Sequence, residues 1–197
     1  MGGTKRANIK TKEDLIKQLE CTKHTFHIST YGIANIWHSF LQDEKIMNYS
    51  IVPENLMHLC DSGCEAYLKF YDQFEDKKEA FTRNCQDAFR SAERIYIRET
   101  YEWLIDYLNH SKQNDKFWAQ KWARMITLLR NVVSHNWIIK EFNKRETEHI
   151  ERYGSISYYG VKITTNDVGK HPDQLGWNRY HTMNLCDEIL QFAHTLK

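Results

Sequence analysis

The chain has 197 residues, with 27 Lys+Arg against 26 Asp+Glu and a formal net charge of +1. That balance excludes a strongly basic nucleic-acid coat protein and a highly charged disordered tail. Eight Gly and two Pro are about 5% of the chain, against roughly 12% in average usage, so a mostly helical chain is expected.

Residues 1–10 are polar and basic and read as a loose arm. They lack the apolar stretch of a signal peptide. Residues 11–197 read as one helical domain, with no repeat and no second domain. Thr11-Lys12-Glu13-Asp14 predicts a helix start, a Thr cap with an acid three residues on. Leu15, Ile16 and Leu19 supply its apolar stripe. Gly32 precedes a second helical pattern, Ile33, Ile36, Trp37, Phe40 and Leu41. Pro53-Glu54 suits the first turn of a third helix.

From Cys64 to Asn109 there is no Pro or Gly, and a break is expected near Asp76-Lys77-Lys78. After it, Phe81, Cys85, Ala88, Ala92, Ile95 and Trp103 fall on one apolar face. A polar linker at 109–114 leads to a long helix over about Asp115 to Phe142. Ser155 to Thr165, β-branched and aromatic around Gly160, predicts a short hairpin. A last helix turns Met183, Cys186, Ile189, Leu190, Ala193 and Leu196 inward. The fold class is therefore all-α, a helical bundle with a small β-hairpin before the C-terminal helix.

No stretch approaches the roughly 18 apolar residues of a membrane-spanning helix, so no membrane association is expected. The five Cys are odd in number and scattered, as in a reduced cytoplasmic protein. His58, Cys60 and Cys64 are the best metal candidate, but structural zinc wants four ligands at tighter loop spacing. Small buried thiols are the plainer reading, and neither metal nor cofactor is expected.

The segment Leu128-Leu129-Arg130-Asn131-Val132-Val133-Ser134-His135-Asn136-Trp137 stands apart. On a helical wheel, Gln120, Arg124, Thr127, Arg130, Asn131, Ser134 and His135 occupy an arc of about 140°. Trp118, Trp122, Met125, Ile126, Leu129, Val132, Val133 and Trp137 fill the opposite side. Solvated helix faces carry Lys and Glu, whereas these short hydrogen-bonding groups suit a partly desolvated groove. Lys121 and Arg124 add the positive potential that a phosphate seeks. With ten His, an Arg followed by His five residues on is expected roughly half a time by chance, and requiring Asn after the Arg lowers this to a few hundredths.

Arg130-Asn131-Val132-Val133-Ser134-His135 resembles the hallmark of the HEPN superfamily, an Arg, a polar residue and a His late in an all-helical domain. Within it, the chain's size is similar to that of the small abortive-infection proteins of the AbiV type. The resemblance implies a metal-independent endoribonuclease in phage defence or a toxin system. It also implies a homodimer whose motif helices line one composite active site, and restraint by an antitoxin or a phage-encoded trigger protein. It casts His135 as the group that moves protons and Arg130 as the phosphate clamp. Asn131 would position the phosphate or the His ring, and Ser134 would support them. Attack by an RNA 2′-OH on the adjacent phosphorus would leave a 2′,3′-cyclic phosphate and a 5′-OH. Relatives silenced by a nucleotidyltransferase carry a Tyr two residues after the His. Trp137 stands there, so that control is not expected.

Glu99, in line with Phe81 and Cys85, is a carboxylate on an apolar face that needs a partner, and Arg130 is one choice. Two other readings stay open: a non-catalytic helical module that binds a nucleotide or a protein, and a helical interaction protein with no nucleic-acid role.

Overall fold

The computed structural model describes residues 9–42 and 76–197. Six α-helices and one two-stranded hairpin occur among them: α1 Lys12–Gln42, α2 Lys77–Ser111, α3 Asn114–Trp118, α4 Ala123–Ser134, α5 Lys144–Tyr153, β1 Ile156–Tyr158, β2 Val161–Ile163 and α6 Arg179–Thr195. The class is all-α, and the hairpin precedes the C-terminal helix as expected. The third helix read at Pro53 and the candidate ligands His58, Cys60 and Cys64 lie outside the described residues. No described helix is long and apolar enough to cross a membrane.

The described residues form two compact units, 9–26 with 93–197 and, separately, those of 27–92. The boundary falls inside both α1 and α2. In the smaller unit Phe81 and Cys85 are buried, with Ala80, Ile33 and Trp37 packed on them. Trp37 also meets Phe89 edge-on at 6.4 Å.

The larger unit is organised around α4, whose Met125, Ile126, Leu128, Leu129, Val132 and Val133 are all buried. Ile97, Leu104, Tyr107 and Leu108 of α2 and Leu185, Ile189, Phe192 and Ala193 of α6 belong to the same core. Each such side chain contributes about 1.5–3 kcal/mol when removed from water. Leu15 and Leu19 bring the start of α1 into this core. Phe26 stacks on Tyr96 at 4.5 Å, and Lys23 pairs with Asp187 at 2.7 Å.

Local signals act where they were read. Thr11 Oγ1 accepts the Asp14 N–H at 3.1 Å and starts α1. Asp76 Oδ1 accepts the Glu79 N–H at 2.9 Å and starts α2. The hairpin pairs Ile156 with Ile163 and Tyr158 with Val161. Its two-residue turn puts Tyr159 at φ 44° and Gly160 at φ 89°, the left-handed backbone that matches strand twist. Tyr158 is buried and its hydroxyl donates to Glu188 Oε1 at 3.2 Å, tying the hairpin to α6.

Three expectations need correction. Gly32 does not separate two helices, because α1 runs through it. One Gly costs about 1 kcal/mol in a helix interior, less than a long amphipathic helix recovers by packing. Second, the apolar face read along α2 holds for Phe81 and Cys85, which are buried, and in part for Trp103, which packs against the core, but not for Ala88 or Ile95. Ile95 is 48% exposed, and the buried stripe moves to Tyr96, Ile97, Thr100, Leu104, Tyr107 and Leu108, a drift of roughly 90° around the axis.

The third correction concerns the long helix over 115–142, which is two helices, α3 and α4, followed by a turn and a stretch without regular secondary structure. Between α3 and α4, Phe117 and Trp122 meet edge-on at 5.6 Å while Trp122 reaches Phe192 at 5.5 Å. Burying both rings turns the backbone at 119–122, with Gln120 N–H on Phe117 O at 2.9 Å. α4 stops at Ser134, and Asn136 and Trp137 follow at φ 56° and 64°. A left-handed Trp is strained. It is held because its ring is buried and its indole N–H donates to Asp173 Oδ1.

Candidate active site

α4 places Arg130 and Asn131 on its polar side, with Ser134 as its last residue. His135 is not a helical residue. It is the C-cap, at φ −121° and ψ 42°, and its N–H donates to Val132 O. The residue is half-exposed. The Trp137 N–H donates to the same Val132 carbonyl at 3.1 Å. Arg94 of α2 closes this end of the helix, donating to Val133 O at 3.2 Å and to Asn136 Oδ1 at 3.5 Å. A guanidinium there offsets the negative end of the helix dipole and fixes the backbone that carries His135.

Arg130 is 39% exposed, and its Nη2 lies 3.7 Å from Glu102 Oε1, a carboxylate only 13% exposed. That is an ion pair beyond hydrogen-bond length. Nε is shielded from water and has no acceptor. Of the five donors of a guanidinium, none is committed to a hydrogen bond among the described residues. The arrangement can accept a phosphate oxygen on Arg130 and expose a proton-transfer ring at His135, with one helix end as the common support.

The other predicted residues separate into groups. Ser134 is exposed and its hydroxyl donates back to Arg130 O at 3.2 Å. Asn131 turns to α5 and donates to Glu146 Oε1 at 3.4 Å, so its amide is engaged there and not with the His135 ring. Glu146 is 1% exposed and burial pushes its carboxyl up, while hydrogen bonds from Asn143 and the Arg124 charge pull the other way. Glu99 is half-buried, and the carboxylate that meets Arg130 is Glu102, three residues further on. Lys121 lies on the turn before α4, and Arg124 lies over the Trp118 ring at 4.6 Å.

Arg94 and Glu102 were missed by sequence reading. Arg94 carries no local signal, since it acts across 39 residues of chain on Val133. Glu102 would have emerged only from the true phase of the α2 stripe. Among the described residues no group of three or more His, Cys, Asp or Glu is placed to hold a metal. No family model, curated protein or solved structure matches this chain.

Proposed function

We propose that the protein is a metal-independent endoribonuclease of the HEPN type, acting in phage defence or as a toxin. The observation that carries this reading is the Arg130–His135 pair at one end of α4. The guanidinium is 39% exposed with only a 3.7 Å ion pair, and the half-exposed His135 follows five residues on as the cap of the same helix. Arg130 would bind the scissile phosphate and offset the charge that builds on its oxygens. His135 would move the protons. The 2′-oxygen bonds to phosphorus and loses its proton to a base. The bond from phosphorus to the 5′-oxygen breaks, and that oxygen gains a proton. Two His135 rings, one from each protomer of a C₂ dimer, would serve as base and acid in a composite site.

The test is cleavage of cellular RNA by the purified protein in EDTA, with product ends mapped. Arg130→Ala and His135→Ala are each expected to lower the rate by about 10²–10⁴. Both should stay folded, because the His135 cap bond uses only its backbone N–H. Equal cleavage by wild type and both variants, or cleavage abolished by EDTA, would remove the proposal. A stable RNA or protein complex that survives both substitutions without turnover would favour a binding module.

A further inference from the structure

Beside α4 lies a groove of about 740 Å³ whose walls come from the end of α3, the turn before α4, Arg124 of α4 and the outer face of α5. Arg145, His149, Arg152 and Tyr153 line it from α5. They are spaced i, i+4, i+7 and i+8 and so share one helical stripe. The guanidiniums of Arg124 and Arg145 both lie on the Trp118 ring, at 4.6 and 5.1 Å. The groove thus gathers four cations, Lys121, Arg124, Arg145 and Arg152, against two carboxylates. One of these, Glu148, already faces Lys144 at 3.9 Å. None of the four cations forms an ion pair with another described residue.

Four cations gathered around two carboxylates leave an excess of like charge, an unfavourable way to build a surface, and a polyanion would relieve it. The aromatic content narrows the choice. Tyr153 is 65% exposed at the end of α5, with its ring against His149 at 4.6 Å. A cationic track with an exposed ring beside it suits a strand whose bases are free to stack. A duplex keeps its base faces covered and offers mainly phosphate and sugar.

We propose that this groove is a subsite for single-stranded RNA, in which Lys121, Arg124, Arg145 and Arg152 hold successive phosphates and Tyr153 stacks on a base. The inference rests on the ribonuclease reading for the choice of RNA. Arg124 precedes Arg130 by six residues, about 9 Å along the helix axis, so a strand seated in the groove leads toward the motif.

The probe is an eight-nucleotide single-stranded RNA methylated at every 2′-oxygen, which lacks the nucleophile for cleavage and so reports binding alone. Binding is read by fluorescence anisotropy at several salt concentrations. Arg145→Glu and Tyr153→Ala are each expected to weaken it about tenfold, and Arg145→Glu should also flatten the salt dependence. Lys162→Glu, at the exposed middle residue of β2 and outside the groove, carries the same charge change and should bind like wild type. Melting curves establish that each variant is folded, and Arg152→Glu replaces any that is not. Unchanged affinity in the groove variants, an equal loss in Lys162→Glu, or a duplex of the same sequence bound as tightly would overturn the proposal. Groove-dependent binding without cleavage of unmodified RNA would support the groove and sink the ribonuclease reading. Cleavage with groove variants that bind normally would do the reverse.

Discussion

Glu146→Ala would remove a carboxylate that joins the start of α5 to α4. Its Oε2 accepts the Asn143 N–H at 2.8 Å and its Oε1 accepts the Asn131 amide at 3.4 Å. The first bond is half of the capping box that starts α5. Loss of such a cap costs about 1 kcal/mol. Each partly buried donor left without an acceptor costs about 1–3 kcal/mol, and removing a buried charge offsets part of this. A net loss of about 2–3 kcal/mol is expected, or about 4–12 °C in melting temperature for a chain of this size.

Glu146→Gln keeps an acceptor oxygen and should lose under about 1 kcal/mol. The two variants also separate by pH. Burial raises the Glu146 carboxyl above its ordinary value, so the folded state holds this proton more tightly than the unfolded chain does. The wild type's advantage over Glu146→Gln is therefore largest at acid pH. It falls as pH rises from about 4.3 through the raised folded value. Thermal or urea melts at a series of pH values between 4 and 8 measure both effects. Identical melting of the Ala and Gln variants, or an advantage that grows with pH, would refute the reasoning. Because α5 carries one wall of the groove, the Ala variant should also bind the methylated RNA more weakly than the Gln variant does.

Gly32→Ala should raise stability by about 1 kcal/mol, since a Cβ at this helical position meets nothing within 4 Å. A lower melting temperature would show that α1 is not continuous there. Gly160→Ala should cost about 1 kcal/mol or more, because φ is +89° in the hairpin turn, and a neutral result by the same melts would contradict that turn. At Asp167, burial pushes the carboxyl up, but hydrogen bonds from Lys170 and Thr164 outweigh it and hold the group below its ordinary value. Its stabilisation is therefore present above about pH 3.9 and lost as pH falls through the lower folded value. Asp167→Asn should cost about 1–2 kcal/mol at neutral pH and progressively less in acid. A pH-independent difference in urea melts would count against this. Cys21 is exposed, whereas the Cys186 thiol is pushed up to about 12 by burial. Iodoacetamide at pH 8, read by mass spectrometry, should modify Cys21 and spare Cys186 until the protein unfolds.

Much of the secondary structure was legible in the residues because its causes are local. The Thr11 cap, the Asp76 start of α2 and the Tyr159-Gly160 turn each act within a few positions of themselves. The buried side of α4 was legible too, since Met125, Ile126, Leu129, Val132 and Val133 repeat at the helical period. Tertiary structure decided the remainder. Whether α3 and α4 are one helix or two depends on Phe192, about 70 residues along the chain from Trp122 yet in ring contact with it. The end of α4 depends on Arg94 and Asp173, one from each side of the chain. The carboxylate beside Arg130 is Glu102 and not Glu99, because the buried stripe of α2 drifts as its packing partners change. Asn131 meets Glu146 and Arg124 lies over Trp118, contacts from α4 to other elements that the period of α4 alone does not reveal. A helix period tells which residues share a face, but the side chains that meet that face come from distant segments, and only packing brings them together.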